Sequence, residues 1–349
     1  MKKSIYVFVI ALLLTLSLAC AALAAGGRLC GSTREYTAAE ISRDGWPEGC
    51  DKVVLVNGYS FADAVAAGPL AKALNAPVLL TGKGALHEAA AAEIRRLGAD
   101  KVYIVGGEDV VPPEAADAAG VEVERVAGRD RYETAAAVAQ KIKALGVSFD
   151  EVVLVRSDDF PDALAVSAVQ QVVPVLFAGK AGDKNLNYTT AKLLASMDIN
   201  NIYVAGGSDV VSDTAVAQAH SIIGADKPDP ARMSGDSRYD TAIAVAGFFK
   251  TESGYQGAVL ATGNNFADAL AAAPYAAKKG YALILVNGKA ENPLPDSARG
   301  FIRANRSIPF ENIVALGGQP EVPDKAIEAA KQAASGVMDD DSPDVVDWQ

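Results

Sequence analysis

Val53-Val54-Leu55-Val56-Asn57-Gly58-Tyr59-Ser60-Phe61-Ala62-Asp63-Ala64-Val65-Ala66-Ala67-Gly68-Pro69 is an apolar run that breaks at a glycine and restarts as an alanine-rich helical pattern. The pattern recurs as Val152-Val153-Leu154-Val155-Arg156-Ser157-Asp158-Asp159-Phe160-Pro161-Asp162-Ala163-Leu164 and as Ala258-Val259-Leu260-Ala261-Thr262-Gly263-Asn264-Asn265-Phe266-Ala267-Asp268-Ala269-Leu270. Four or five aliphatic residues in a row, bounded by a turn, suit a strand buried on both faces, as parallel strands are. Each copy therefore reads as the strand, turn and helix of a repeated unit. Ser60, Asp159 and Asn265 stand just before the Phe as N-cap candidates, and Asp63, Asp162 and Asp268 fall three residues later, as in a capping box. A carboxylate there also favours the positive end of the helix dipole. Capping is the main reading of these three aspartates, with ligand chemistry the alternative.

Working outward, the first copy continues as a helix around Ala62 to Leu74 and a short strand, Pro77-Val78-Leu79-Leu80-Thr81. A helix from about Leu86 to Leu97 follows, ended by Gly98 as a candidate C-cap, and a third strand, Lys101 to Val105, runs into Gly106-Gly107. The later copies carry Pro174-Val175-Leu176-Phe177-Ala178 and Asn201 to Ala205 before Gly206-Gly207, then Ala282 to Val286 and Asn312 to Leu316 before Gly317-Gly318. Equivalent residues lie about 100 positions apart, a domain-sized period. None of the glycine pairs reads Gly-x-Gly-x-x-Gly, so they are tight turns and not a dinucleotide fingerprint. The fold class is α/β: three tandem Rossmann-like parallel-sheet repeats over 25–124, 125–226 and 227–334.

Between repeats lies Arg125-Val126-Ala127-Gly128-Arg129-Asp130-Arg131-Tyr132-Glu133-Thr134-Ala135, matched position for position by Arg232-Met233-Ser234-Gly235-Asp236-Ser237-Arg238-Tyr239-Asp240-Thr241-Ala242. Asp130 and Ser237 start a helix as N-caps, with Glu133 and Asp240 at the third helical position. Capping does not require Arg-Tyr. A guanidinium and a phenol in the first helical turn suit either a contact between repeats or a ligand contact. The first copy, Arg34-Glu35-Tyr36-Thr37-Ala38, carries the Arg and Tyr out of adjacency.

Lys2 and Lys3 precede an uncharged apolar run from Ile5 to about Leu18, and Ala22-Leu23-Ala24 supplies small residues at a cleavage site, so residues 1–24 read as a signal peptide. Lipidation of Cys20 is the alternative. No later run reaches the length of a membrane span, which implies a mature chain without one. Loss of Lys2 and Lys3 takes the formal charge from −11 to −13. That acidity argues against nucleic acid as a partner, because such binding needs Lys and Arg on phosphates. Export leaves Cys30 and Cys50, expected to pair as a disulfide in an oxidising compartment. Two thiols with the distant His87 and His220 give no zinc spacing, and no metal or other cofactor is expected. There is no Gly-x-Ser-x-Gly elbow or P-loop, so no catalytic residue is nominated. Residues 335–349 read as an acidic, disordered tail, which leaves no room beside the repeats for a separate catalytic domain.

Taken together, the Arg-Tyr-Glu-Thr-Ala and Arg-Tyr-Asp-Thr-Ala helix starts, the Phe-x-Asp-Ala turns, Pro-Val-Leu-Leu and the strand-Gly-Gly turns resemble the cell wall binding repeat 2 family of Gram-positive surface proteins and autolysins. The resemblance implies three modules about a pseudo-threefold axis and non-covalent attachment at the cell surface through an anionic, teichoic-acid-like or polysaccharide wall polymer. It further implies a polymer site at Pro77, Val78, Leu79 and Leu80 and at Pro174, Val175, Leu176 and Phe177, with Arg131 and Arg238 as basic partners beside Tyr132 and Tyr239. The third copy has Ala282 in place of the Pro. The alternatives are a wall-modifying hydrolase with its site grafted on the repeats, or a surface-layer protein recognising another protein.

Overall fold

The computed structural model describes residues 27–305 and 308–336; the leader, Cys20 and most of the acidic tail lie outside the described residues. The chain forms three four-stranded sheets, each entirely parallel. A two-residue strand β1 (Arg28–Leu29) and helix α1 (Arg34–Gly45) come first. The first unit then contributes β2 (Lys52–Asn57), α2 (Phe61–Ala73), β3 (Val78–Thr81), α3 (Glu88–Leu97), β4 (Lys101–Val105), α4 (Pro113–Asp117) and β5 (Glu122–Val126). The second follows with α5 (Arg131–Ala144), β6 (Glu151–Arg156), α6 (Pro161–Ser167), β7 (Val175–Gly179), α7 (Tyr188–Leu194), β8 (Asn201–Ala205), α8 (Asp213–Ile223) and β9 (Ala231–Met233). The third comprises α9 (Arg238–Phe248), β10 (Gly257–Thr262), α10 (Ala267–Lys279), β11 (Tyr281–Val286), α11 (Asp296–Ala304), β12 (Ile313–Leu316) and α12 (Asp324–Ser335).

The sheet orders are β3-β2-β4-β5, β7-β6-β8-β9 and β11-β10-β12-β1. The strand that completes the third sheet therefore comes from the opposite end of the chain: Arg28 and Leu29 pair in register with Ala315 and Leu316. After each edge strand the chain crosses to the neighbouring unit, so that α1 packs on β3, α5 on β7 and α9 on β11. Three units joined in this way close into a ring.

The aliphatic runs behave as their composition dictates. Val53 to Val56 and Val152 to Val155 are fully buried, and side chains alternate between the faces of their sheets. In β10, Val259 and Ala261 join the main core while Ala258 and Leu260 join a second core under α9, α11 and α12. Gly98 ends α3 in the left-handed conformation at φ 66°, as the sequence predicts.

The three Phe-x-Asp-Ala helices meet at the ring centre. Phe61, Phe160 and Phe266 touch one another, with centroid separations of 6.3, 6.1 and 5.5 Å, which makes them equivalent about a pseudo-threefold axis. Each such pair contributes about 0.5–1.5 kcal/mol beyond burial. Two helical turns further on, a Cβ added at Gly68 would lie 3.2 Å from that of Ser167 and 3.5 Å from that of Ala273, so the axis is lined there by small residues. Close approach of the helices, more than propensity, explains the Gly and Ala content of this segment.

Candidate functional site

In parallel α/β sheets ligands gather beyond the carboxyl ends of the strands. On that face of each unit three recurring groups meet: an edge-strand arginine, the first-turn arginine of the following helix and the aspartate of the Phe-x-Asp-Ala turn. The edge arginine holds the Gly-Gly turn. Arg125 donates to the Gly106 carbonyl at 2.8 Å, and Arg232 to Gly206 at 2.7 Å and Val211 at 2.9 Å. Arg28, itself buried, donates to Gly317 and Val322 at 2.7 Å each, and pairs with Asp324.

The aspartates do not complete capping boxes. They turn inward against the first glycine of each Gly-Gly turn, where a Cβ at Gly206 would lie 2.7 Å, and at Gly317 2.3 Å, from the Asp162 and Asp268 carboxylates. Those glycines also have φ of 107° and 97°, so both backbone angle and contact exclude a side chain. Asx-type bonds are made instead by their neighbours: Asp159 accepts from the Phe160 N–H and Asn265 from the Ala267 N–H. Burial raises the affinity of all three inward aspartates for a proton. Asp268 is pushed up to about 6, by burial first and then by the negative charge of Glu321, against opposing contributions from Arg34 and the Thr37 hydroxyl. Thr37 and Thr134 also accept the Gly31 and Gly128 N–H groups, which locks each helix start over an aspartate.

The first-turn arginines brace the turn of their own unit, and those of the second and third units also reach the preceding one. Arg34, Arg131 and Arg238 donate to the carbonyls of Gly58, Ser157 and Gly263, the turn residues after β2, β6 and β10. Arg131 and Arg238 also lie over the rings of Phe61 and Phe160, each at 5.6 Å, within cation–π range. The structure thus favours the inter-repeat role that the sequence left balanced against ligand binding. Tyr132 bonds to the Ser157 hydroxyl at 2.7 Å and meets Phe177 edge-on, while the Tyr239 ring comes so close to Gly263 that a Cβ there would lie 2.6 Å away. Asp130 and Ser237 cap α5 and α9 as their sequence pattern requires. In the first copy Glu35 takes the Tyr position and bonds to Tyr59.

Pro77, Val78, Leu79 and Leu80 are buried, as are Pro174, Val175, Leu176 and Phe177. Their side chains belong to the core beneath α1 and α5, which corrects the expectation that they face a ligand. The expected Cys30–Cys50 disulfide is likewise not formed. Cys30 follows β1 at the carboxyl end of the third sheet, and Cys50 precedes β2 at the amino end of the first. The 12 residues of α1 lie between these sites, spanning about 18 Å at 1.5 Å per residue against the 4.4–6.8 Å Cα separation of a disulfide. The Cys50 thiol instead donates to the Asn75 carbonyl at 3.6 Å.

A groove of about 500 Å³ runs between α5 and α7, lined by Arg129, Glu133, Gln140, Tyr188, Lys192 and Ser196. Its volume lies in the range of ligand sites. The bonds from Arg129 hold the Glu133 carboxyl down to about 2.

The sequence model of the family described as Cell wall binding domain 2 (CWB2) matches residues 28–116, 125–216 and 232–328. The chain belongs to the Cell wall binding domain 2 family. Each CWB2 match opens on an edge arginine, Arg28, Arg125 or Arg232, so a sequence repeat begins with a strand that completes the preceding unit's sheet. The chain is 32% identical over 314 residues to N-acetylmuramoyl-L-alanine amidase LytC of Bacillus subtilis (strain 168), covering 88% of this chain and 58% of LytC. It is 27% identical over 290 residues to the Amidase enhancer of the same organism, covering 82% of this chain and 38% of that protein. It therefore spans less than two thirds of either curated relative.

Two solved CWB2-like structures are similar. Cwp6 from Clostridium difficile gives a TM-score of 0.75 at 26% identity, covering 91% of this chain and 48% of that one. Cwp8 from the same organism gives 0.76 at 28%, covering 89% and 52%. The family supports a role in cell wall binding. Among the described residues no helix is long and apolar enough to cross a membrane. Both CWB2-chain histidines serve local structure: His87 Nδ1 accepts the Ala89 N–H at the start of α3, and His220 Nε2 meets the Lys227 carbonyl.

Proposed function

We propose that this protein is exported and attaches non-covalently to the Gram-positive cell envelope by recognising an anionic secondary wall polymer, without catalysis by the three repeats. The observation that carries the reading is the match of all three modules to a wall-binding family, each built into the same closed ring. A ring of this kind presents polar helix starts and turns outward and keeps its apolar strands inside. In this reading Arg131 and Arg238 serve the polymer indirectly, by fixing how neighbouring units meet. The relatives LytC and Amidase enhancer carry names from wall hydrolysis, which is consistent with wall attachment of the shared region.

The test is co-sedimentation of the purified chain with peptidoglycan sacculi that either bear or have been acid-stripped of their secondary polymers. Binding confined to the polymer-bearing sacculi is expected. Equal binding to both preparations, or to neither, would refute recognition of the polymer.

A further inference from the structure

The three units are equivalent in fold but not in what they present at the groove between the first-turn helix and the helix after the second strand. Two landmarks align them: Gly31, Gly128 and Gly235 before the helix start, and the buried Leu86, Leu186 and Leu294 two residues before α3, α7 and α11. By that alignment the second unit places Arg129, Tyr188 and Lys192 at this groove. The corresponding residues are Ser32, Glu88 and Ala92 in the first unit, and Asp236, Asp296 and Gly300 in the third.

The consequences are opposite in sign. In the first unit Tyr36, which stands where the second has Glu133, donates to the Glu88 carboxylate at 2.5 Å and sets its ring edge against His87. That contact bridges the helices where the groove would lie. In the third unit Asp240 adds a third acid to the exposed Asp236 and Asp296. A polyanion meets like charge there. In the second unit Tyr188 is 79% exposed, the Arg129 side chain 90% exposed, and Lys192 exposed. Glu133 anchors Arg129 from one side through its Nε and Nη2, and leaves the rest of the guanidinium to solvent.

We infer that the α5/α7 groove of the second unit is the principal polymer-binding site, and that it takes an anionic saccharide chain. A bare tyrosine ring offers a flat apolar face to a sugar ring while its hydroxyl stays wet. Arg129 and Lys192 flank that face with two cations, the arrangement that receives a phosphate or carboxylate group. Gln140 and Ser196 supply exposed amide and hydroxyl groups for sugar hydroxyls. On a chain of formal charge −11, a groove with two cations against the single Glu133 carboxylate is where a polyanion can approach. The ring is thus threefold in architecture and single in its site.

This inference rests on the polymer-binding reading above, and the same sedimentation assay separates the two. Tyr188→Ala/Lys192→Glu is compared with Ala92→Glu/Gly300→Glu, which alters net charge equally but at the positions of the other units that match Lys192, Ala92 exposed and Gly300 half-buried with open space around its Cβ. Each variant is first shown to melt like the parent. The first variant is expected to bind polymer-bearing sacculi at least tenfold more weakly, and the second within about twofold of the parent. Equal weakening in both variants, or none in the first while the parent still binds, would overturn the single-groove assignment and leave polymer recognition intact. A parent chain that ignores the polymer would overturn both.

Discussion

Replacing Arg28 with Ala tests whether the ring is held shut by its N-terminal strand. Arg28 is 3% exposed and donates to two carbonyls, those of Gly317 and Val322, nearly 300 residues away in sequence. A hydrogen bond from a charged donor contributes about 1.5–3 kcal/mol when buried, so these two together are worth roughly 3–6 kcal/mol. The pair with Asp324, which is 48% exposed, adds less than about 1 kcal/mol. Arg125 makes one such carbonyl bond in a part-buried setting, so Arg125→Ala should cost only about 1–2 kcal/mol. Urea unfolding gives the total loss, and amide hydrogen exchange locates it. Exchange should quicken in β1, β12 and the 317–322 turn before the other two sheets respond. A variant with parental stability, or one in which all three sheets loosen together while Arg125→Ala does more harm, would refute this account of closure.

Three further outcomes follow from the same geometry. Asp268 has a raised folded-state pKa of about 6 against 3.8, so the folded form binds the extra proton between those values and stability falls as pH rises through that window. Asp268→Asn should flatten the fall and stabilise the protein by up to about 3 kcal/mol at pH 7, read from urea midpoints at pH 4.5 and 7. Gly98→Ala, at φ 66° with open space around its Cβ, should cost about 1–2 kcal/mol. Gly317→Ala, whose Cβ would lie 2.3 Å from Asp268 Oδ2, should cost at least twice as much in the same melts. Finally, reductant should leave the melting temperature of the 27–336 chain unchanged, since no bond joins Cys30 to Cys50; a drop of several degrees would restore the disulfide.

The parts of the fold carried by long, one-composition segments were legible in the sequence. Val53 to Val56 and their counterparts can only be strands buried on both faces, and the Phe-x-Asp-Ala turns announce three equal helices. The edge strands were not. Glu122–Val126 carries three charged residues among five, and Arg28–Leu29 is two residues long. Such strands form because a sheet edge waits for them, a tertiary effect that local pattern does not report. One signal was present: Arg28, Arg125 and Arg232 each precede a first-turn arginine by six residues.

The inward turn of Asp63, Asp162 and Asp268 was hidden for a related reason. A carboxylate at the third helical position looks the same in sequence whether it caps its own helix or packs on a distant glycine. Pro-Val-Leu-Leu read as a binding segment only through resemblance, whereas its composition already described a buried strand. The α5/α7 groove was illegible because Arg129 and Lys192 lie far apart in sequence and differ from their counterparts in the other copies.

Ring closure through β1 means that the stretch of gene that repeats and the body that folds are offset by one strand. Cutting the chain at the start of each sequence repeat would hand every fragment an edge strand belonging to its neighbour and leave its own sheet one strand short. The natural joints for excision or shuffling therefore lie after the edge strand, near residues 30, 127 and 234. For the same reason the polypeptide has no topologically privileged beginning. Gly27 sits against Ile313 and within reach of Lys331, so a chain joined from residue 336 back to residue 27 and opened instead near residue 127 should assemble into the same circle.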